Sequence, residues 1–147
     1  MSKHAKRAVK REDKYYEYLF LIFATIVFVD RLAKTFLQDG RFSQFCIKKV
    51  MNAGAAFGIL NGMTWLFIAV AAMVLILILL FINEMNETGR YALVLIAAGT
   101  MANLIDRIFF SQVIDIFSAF GSSSFNLADL SNTVGGILLI ISLLKKK

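Results

Sequence analysis

Residues 63–82 read MTWLFIAVAAMVLILILLFI, twenty positions without one Asp, Glu, Lys or Arg. At about 1.5 Å per residue, a helix of that length spans about 30 Å, the thickness of a bilayer's hydrocarbon core. A soluble protein would have to cover such a helix on every side, and this chain lacks the polar material for it. Of its 147 residues, 59% are hydrophobic and 18% charged; its mean hydropathy is +0.70. A soluble domain is about a quarter charged. Lipid is therefore the expected solvent. Open strands are excluded there, because their unpaired backbone groups would cost several kcal/mol each in hydrocarbon, and barrel-type alternation is missing.

Three flanking segments have similar length. Tyr18 to Leu37 is apolar as far as Val29 and then carries Asp30, Arg31 and Lys34. Tyr91 to Phe110 is apolar until Asn103, Asp106 and Arg107, and Phe125 to Leu144 starts polar and ends aliphatic. The expected fold is thus an all-α membrane protein, a single unit over residues 1–147, with helices at about 18–37, 63–82, 91–110 and 125–144. Residues 1–16 read as a basic cytoplasmic tail. The first apolar stretch is long and has no small-residue cleavage site after it, so it reads as a retained helix.

Charge sets the expected orientation. Lys3, Lys6, Arg7, Lys10, Arg11, Lys14, Arg90, Lys145, Lys146 and Lys147 fall on one side of a four-span layout, against Arg41, Lys48 and Lys49 on the other. By the positive-inside rule both termini are cytoplasmic. The net charge of +6 flanks apolar segments, which suits anionic headgroups; nucleic acid is not an expected partner, since no binding fold accompanies it. A single cysteine, Cys46, excludes an internal disulfide, and a single histidine, His4, excludes a shared histidine metal site.

The polar residues inside the spans gather at one depth, the non-cytoplasmic end. Asp30 and Lys34 are four apart and can pair on one helix face. Arg107 can serve Asp106 locally or reach an aspartate on another helix. Asp115 and Asp129 differ, since neither has a basic residue three or four positions away. The connection between them contains Gly121, Ser122, Ser123 and Ser124 and can fold back, bringing both carboxyls to the membrane edge. Two adjacent carboxyls share a proton, one acting as acid and one as base, the arrangement that activates water against a peptide carbonyl. The plainer reading, a loop aspartate and a helix-cap aspartate with Asn126 as the cap, stands beside it. No histidine accompanies a serine, so a Ser-His triad is excluded. Two aspartates beside two asparagines make a thin cage for Mg²⁺ or Ca²⁺.

Five segments in order resemble the bacterial lipoprotein signal peptidases (signal peptidase II). They are Asp30-Arg31-Leu32-Ala33-Lys34, Asn52-Ala53-Gly54-Ala55-Ala56-Phe57-Gly58, Asn103-Leu104-Ile105-Asp106-Arg107, Val113-Ile114-Asp115 and Phe125-Asn126-Leu127-Ala128-Asp129. The resemblance implies an intramembrane aspartyl endopeptidase of the bacterial inner membrane. Such an enzyme removes the signal peptide from prolipoproteins that carry diacylglyceryl-cysteine, cutting just before that cysteine. It implies Asp115 and Asp129 as the catalytic dyad and Asn52, Gly54, Asn103, Arg107 and Asn126 as pocket residues. Asp30 and Lys34 would hold the architecture. A small extracytoplasmic β-cradle between helices one and two is implied, with no metal or organic cofactor, and a monomer among membrane lipids. The rival expectation is a non-catalytic membrane protein binding lipidated chains or ions through the same polar cluster.

Overall fold

The computed structural model describes residues 3–37, 47–54, 62–119 and 123–145. Its elements are α1 (Lys3–Phe36), β1 (Ile47–Asn52), α2 (Thr64–Phe81), α3 (Glu87–Phe110), β2 (Val113–Ala119), β3 (Ser123–Phe125) and α4 (Leu127–Leu144). A short 3₁₀ turn, Ile82–Glu84, joins α2 to α3. Cys46 and the Ala55–Gly58 part of the second resemblance segment lie outside the described residues.

Helix α3 is the axis of the molecule. It packs against α1, α2 and α4, and far more of it is buried than of α2 or α4. Small side chains make that possible: Ala92, Ala98 and Ala102 are fully buried. At Gly99 the approach of α4 is so close that an added methyl carbon would stand 2.4 Å from the Ala128 carbonyl oxygen. In lipid, where apolar surface gives no net drive to associate, this backbone proximity carries the packing. Large apolar side chains such as Phe20, Trp65, Leu79 and Phe109 point outward, while Asp30, Lys34, Asp106, Asp115 and Asn126 are buried completely or nearly so. Polar inside and apolar outside is the pattern expected of a chain solvated by hydrocarbon.

Among the described residues, three helices, within Thr64–Glu84, Glu87–Phe110 and Leu127–Leu144, are long and apolar enough to cross a membrane. Helix α1 is set apart by Asp30, Arg31 and Lys34 in its apolar half. The helix limits also depart from those read off the sequence. Helix α1 starts at Lys3 rather than near residue 18, because the basic stretch is rich in Lys, Arg, Ala and Glu, good helix formers, with no glycine or proline to stop it. Helix α3 starts at Glu87 rather than 91, where the Asn86 side chain accepts from the Gly89 N–H at 2.9 Å and caps the helix.

The expected cradle between helices one and two is only partly right. That connection supplies β1, but the sheet has the order β1-β2-β3 and draws β2 and β3 from between α3 and α4. Both pairings are antiparallel, with Val50 opposite Asp115 and Phe117 opposite Phe125. Val113, Ile114, Ile116 and Phe117 are strand formers, so the stretch after α3 becomes an inner strand rather than a loop. Phe125, expected to open the fourth helix, instead ends β3. The turn from α3 into β2 rests on Ser111, in the left-handed region at φ 58°, uncommon for a residue with a side chain. Its carbonyl accepts from the Thr64 hydroxyl at 2.7 Å, which ties the start of α2 to the end of α3.

Candidate active site

The sheet's inner strand, the end of α3 and the start of α4 meet where the polar residues of the sequence converge. Asp115 projects from β2. Its Oδ1 accepts from Asn126 Nδ2 at 2.9 Å, and its Oδ2 accepts from Ser124 Oγ at 3.0 Å and Asn52 Nδ2 at 3.3 Å. Asn52 ends β1, and the Gly54 N–H donates to its Oδ1 at 3.1 Å. That contact turns the Asn52 amide nitrogen toward Asp115.

Asp129 lies in the first turn of α4. Its Oδ1 accepts from Asn103 Nδ2 at 2.9 Å, and its Oδ2 from the Asn126 backbone N–H at 3.1 Å. Asn126 Oδ1 in turn accepts from the Asp129 N–H at 2.9 Å, a reciprocal capping box. One asparagine therefore holds both carboxyls, Asp115 through its side-chain amide and Asp129 through its backbone. Among the described residues, every hydrogen-bond donor on the two carboxylates is neutral.

Asn52, Gly54, Asn103, Arg107, Asp115 and Asp129 line one pocket of about 350 Å³. Asn126 does not line it as expected. It is fully buried behind the wall, bonded to both aspartates and to Asn103 Oδ1 at 3.1 Å. Arg107 does not pair with its neighbour Asp106. Its guanidinium lies 4.9 Å from the centre of the Phe67 ring on α2, a cation–π contact.

Asp106 is claimed by α1 instead. Lys34 Nζ lies 2.7 Å from both Asp30 Oδ2 and Asp106 Oδ2, and Arg31 pairs with Asp106 Oδ1. Asp106 Oδ2 also accepts from the Ile114 N–H at 3.2 Å, and Asp30 Oδ1 from the Ala128 N–H at 3.1 Å. Two cations and two carboxylates thus tie α1 to α3, β2 and α4. Lys34 Nζ also donates to Asn103 Oδ1 at 3.3 Å, joining this cluster to the asparagine that holds Asp129.

Ser124, Asn132 and Thr133 also line the pocket and were not singled out in the sequence. Asn132 had a signal: it stands three residues after Asp129, on the same helix face. Ser124 had none, since its contact depends on strand pairing. Among the described residues no cluster of three His, Cys, Asp or Glu side chains is placed to hold a metal.

Comparison with known proteins gives a consistent picture. The family model described as Signal peptidase (SPase) II matches residues 22–145. The chain is 36% identical over 119 residues to a lipoprotein signal peptidase of Syntrophomonas wolfei, covering 80% of this chain and 77% of that one. It is 32% identical over 136 residues to one from Halothermothrix orenii, covering 85% and 94%. Among solved structures, a bacterial membrane enzyme determined by the in meso method at 2.3 Å resolution superposes with a TM-score of 0.78, at 29% identity and 88% coverage of each chain. A second, at 1.9 Å, gives 0.76 at 29% identity, covering 89% of this chain and 95% of that one.

Proposed function

The chain belongs to the signal peptidase II family, and from that premise we propose that Asp115 and Asp129 are its catalytic pair. It is an aspartic-type membrane peptidase that removes signal peptides from prolipoproteins. The observation that carries the dyad is the shared support from Asn126, which bonds both carboxyls. Charge-balanced carboxylates stay ionised; two carboxyls held by neutral donors in one pocket can share a proton.

The reaction then runs as general acid–base hydrolysis. The ionised carboxyl takes a proton from water as the oxygen attacks the scissile carbonyl carbon. The protonated one donates to the carbonyl oxygen. The tetrahedral intermediate collapses by breaking the C–N bond: the nitrogen leaves with the proton held by the former base, and a hydroxyl of the intermediate returns its proton to the former acid, which restores the dyad. The bond cut precedes the diacylglyceryl-modified cysteine. Asn52, Asn103 and Asn126 fix the carboxyls. Arg107 and Gly54 border the space where the substrate backbone lies, Arg107 as a donor to a carbonyl oxygen.

Helix α1 serves as a fourth span, its charges neutralised against α3. Both termini then face the cytoplasm of a bacterial inner membrane, and the pocket opens at the outer leaflet beside the sheet. The Lys and Arg asymmetry supports that orientation. The enzyme acts as a monomer needing neither metal nor organic cofactor. The test is cleavage of a diacylglyceryl-modified prolipoprotein by purified protein in detergent, wild type beside Asp115→Asn. Cleavage by the wild type alone is expected; equal cleavage by both would remove Asp115 from the mechanism.

A further inference from the structure

Asn132 is a pocket residue to which the catalytic scheme gives no part. It lies on α4, three residues past Asp129, and lines the same pocket. Its Oδ1 faces α3, where the Thr100 hydroxyl stands 3.5 Å away at the long end of hydrogen-bonding range. Gly99 allows this. An added Cβ there would come within 2.6 Å of Asn132 Oδ1, so only a residue without one lets the amide settle against α3. With Oδ1 turned to α3, Nδ2 is directed away from it. Nδ2 has no hydrogen-bond partner among the described residues, and it is not among the buried polar atoms left unpaired. It is an open donor on a pocket wall within the membrane-spanning part of the chain.

We propose that Asn132 is a substrate-positioning residue whose amide N–H binds a backbone carbonyl of the signal peptide on the N-terminal side of the scissile bond. This rests on the function proposed above. Direction along the membrane carries the assignment. Helix α4 runs inward from Asp129, so Asn132 sits about 4.5 Å deeper than the dyad. The substrate's apolar segment precedes the cleavage site and lies deeper in the bilayer, so the residues just before the cut pass Asn132. A peptide must be extended to be cut, and its carbonyls near the scissile bond then lose their helical partners. In hydrocarbon an unpaired carbonyl is costly, and a preset donor removes that cost. Thr100 acts through Asn132 by holding its amide in the required orientation.

The experiment is steady-state cleavage of a diacylglyceryl-modified prolipopeptide in detergent by wild type, Asn132→Leu, Thr100→Val and the double variant, with melting temperatures alongside. Asn132→Leu keeps the volume and removes the donor. Its kcat/KM is expected to fall about 5-fold to 30-fold, the range for losing one hydrogen bond to a buried carbonyl, with the larger share in KM and a melting temperature close to wild type. Thr100→Val should fall less, and adding it to Asn132→Leu should cost nothing more. If Asn132→Leu melts early, Asn132→Ser, which keeps a shorter donor, replaces it and should retain part of the loss in KM.

Wild-type kcat/KM in a folded Asn132→Leu variant overturns the proposal while leaving the peptidase and its dyad intact. Additive losses for Thr100 and Asn132 overturn the orienting role of Thr100. A folded wild-type protein that cleaves no prolipopeptide overturns the function itself, and this proposal with it.

Discussion

Two pairs of aspartates lie side by side in this molecule, and their surroundings are opposite. Asp30 and Asp106 share Lys34, and Asp106 also takes Arg31. Asp115 and Asp129 are bonded by asparagine amides, a serine hydroxyl and a backbone N–H. The first arrangement balances charge between buried groups, which is what an assembly joint needs. The second fixes position through neutral donors, which is what the proposed acid–base chemistry needs. Burial alone does not separate them, since Asp115 is as inaccessible as Asp106 and only Asp129 is half-buried. The kind of donor does, and the two sets meet at a single residue, Asn103, which touches Lys34 on one side and Asp129 on the other.

The contrast breaks most visibly at the dyad. Asp129→Asn keeps an oxygen for the Asn126 N–H and loses the titratable group together with the acceptor that faces Asn103 Nδ2. Turnover in the prolipopeptide assay is expected to fall at least about 1000-fold, roughly 4 kcal/mol of barrier, with the melting temperature nearly unchanged. More than about a tenth of wild-type activity would rule Asp129 out of the chemistry. Lys34→Ala acts on the other pair. It takes from buried Asp30 its close partner and leaves Asp106 with Arg31 alone, a loss of about 3–5 kcal/mol, seen as low folded yield and early melting. The fraction that folds should keep most of its turnover per molecule, and a stable but inactive variant would reverse the roles of the two pairs.

Asn103→Ala strikes the junction. It is expected to lower kcat about 10-fold to 100-fold and stability by about 1–3 kcal/mol, since donors and acceptors on both sides lose a partner. An effect on stability alone would mean that the two clusters are not coupled through it. The smallest change belongs to chelation. EDTA is expected to leave the cleavage rate as it was, and a clear loss restored by a divalent cation would bring a metal into the mechanism.

How much of this was legible in the sequence follows physical range. Helices α2, α3 and α4 come from runs of apolar residues, and the Asp30–Lys34 pair from a spacing of four on one helix. Asn126 as a cap follows from its place before Leu127-Ala128-Asp129. These are local relations. The pairing of Asp106 is not local. An adjacent arginine offered itself, and the buried Lys34 of α1 took the carboxylate while Arg107 settled on Phe67. Similarly, the second task of Asn126, reaching Asp115, depends on β2 lying against the start of α4. That strand was read as a loop because its alternation is short and follows a long helix. The helical continuation of the basic segment was missed for a different reason: charge was read as a tail, although the same residues favour helix.

The reciprocal cap at the start of α4 also makes the reaction conditional. Asp129 is at once the residue that closes the first turn and, in the proposed dyad, one of the two groups that handle the proton. Fraying of that turn by a few ångströms would withdraw an oxygen from the pocket and, through Asn126, release the opposite carboxyl as well. In the proposed mechanism, hydrolytic competence therefore requires a closed helix start, so that one turn of backbone sets the position of both carboxyls together.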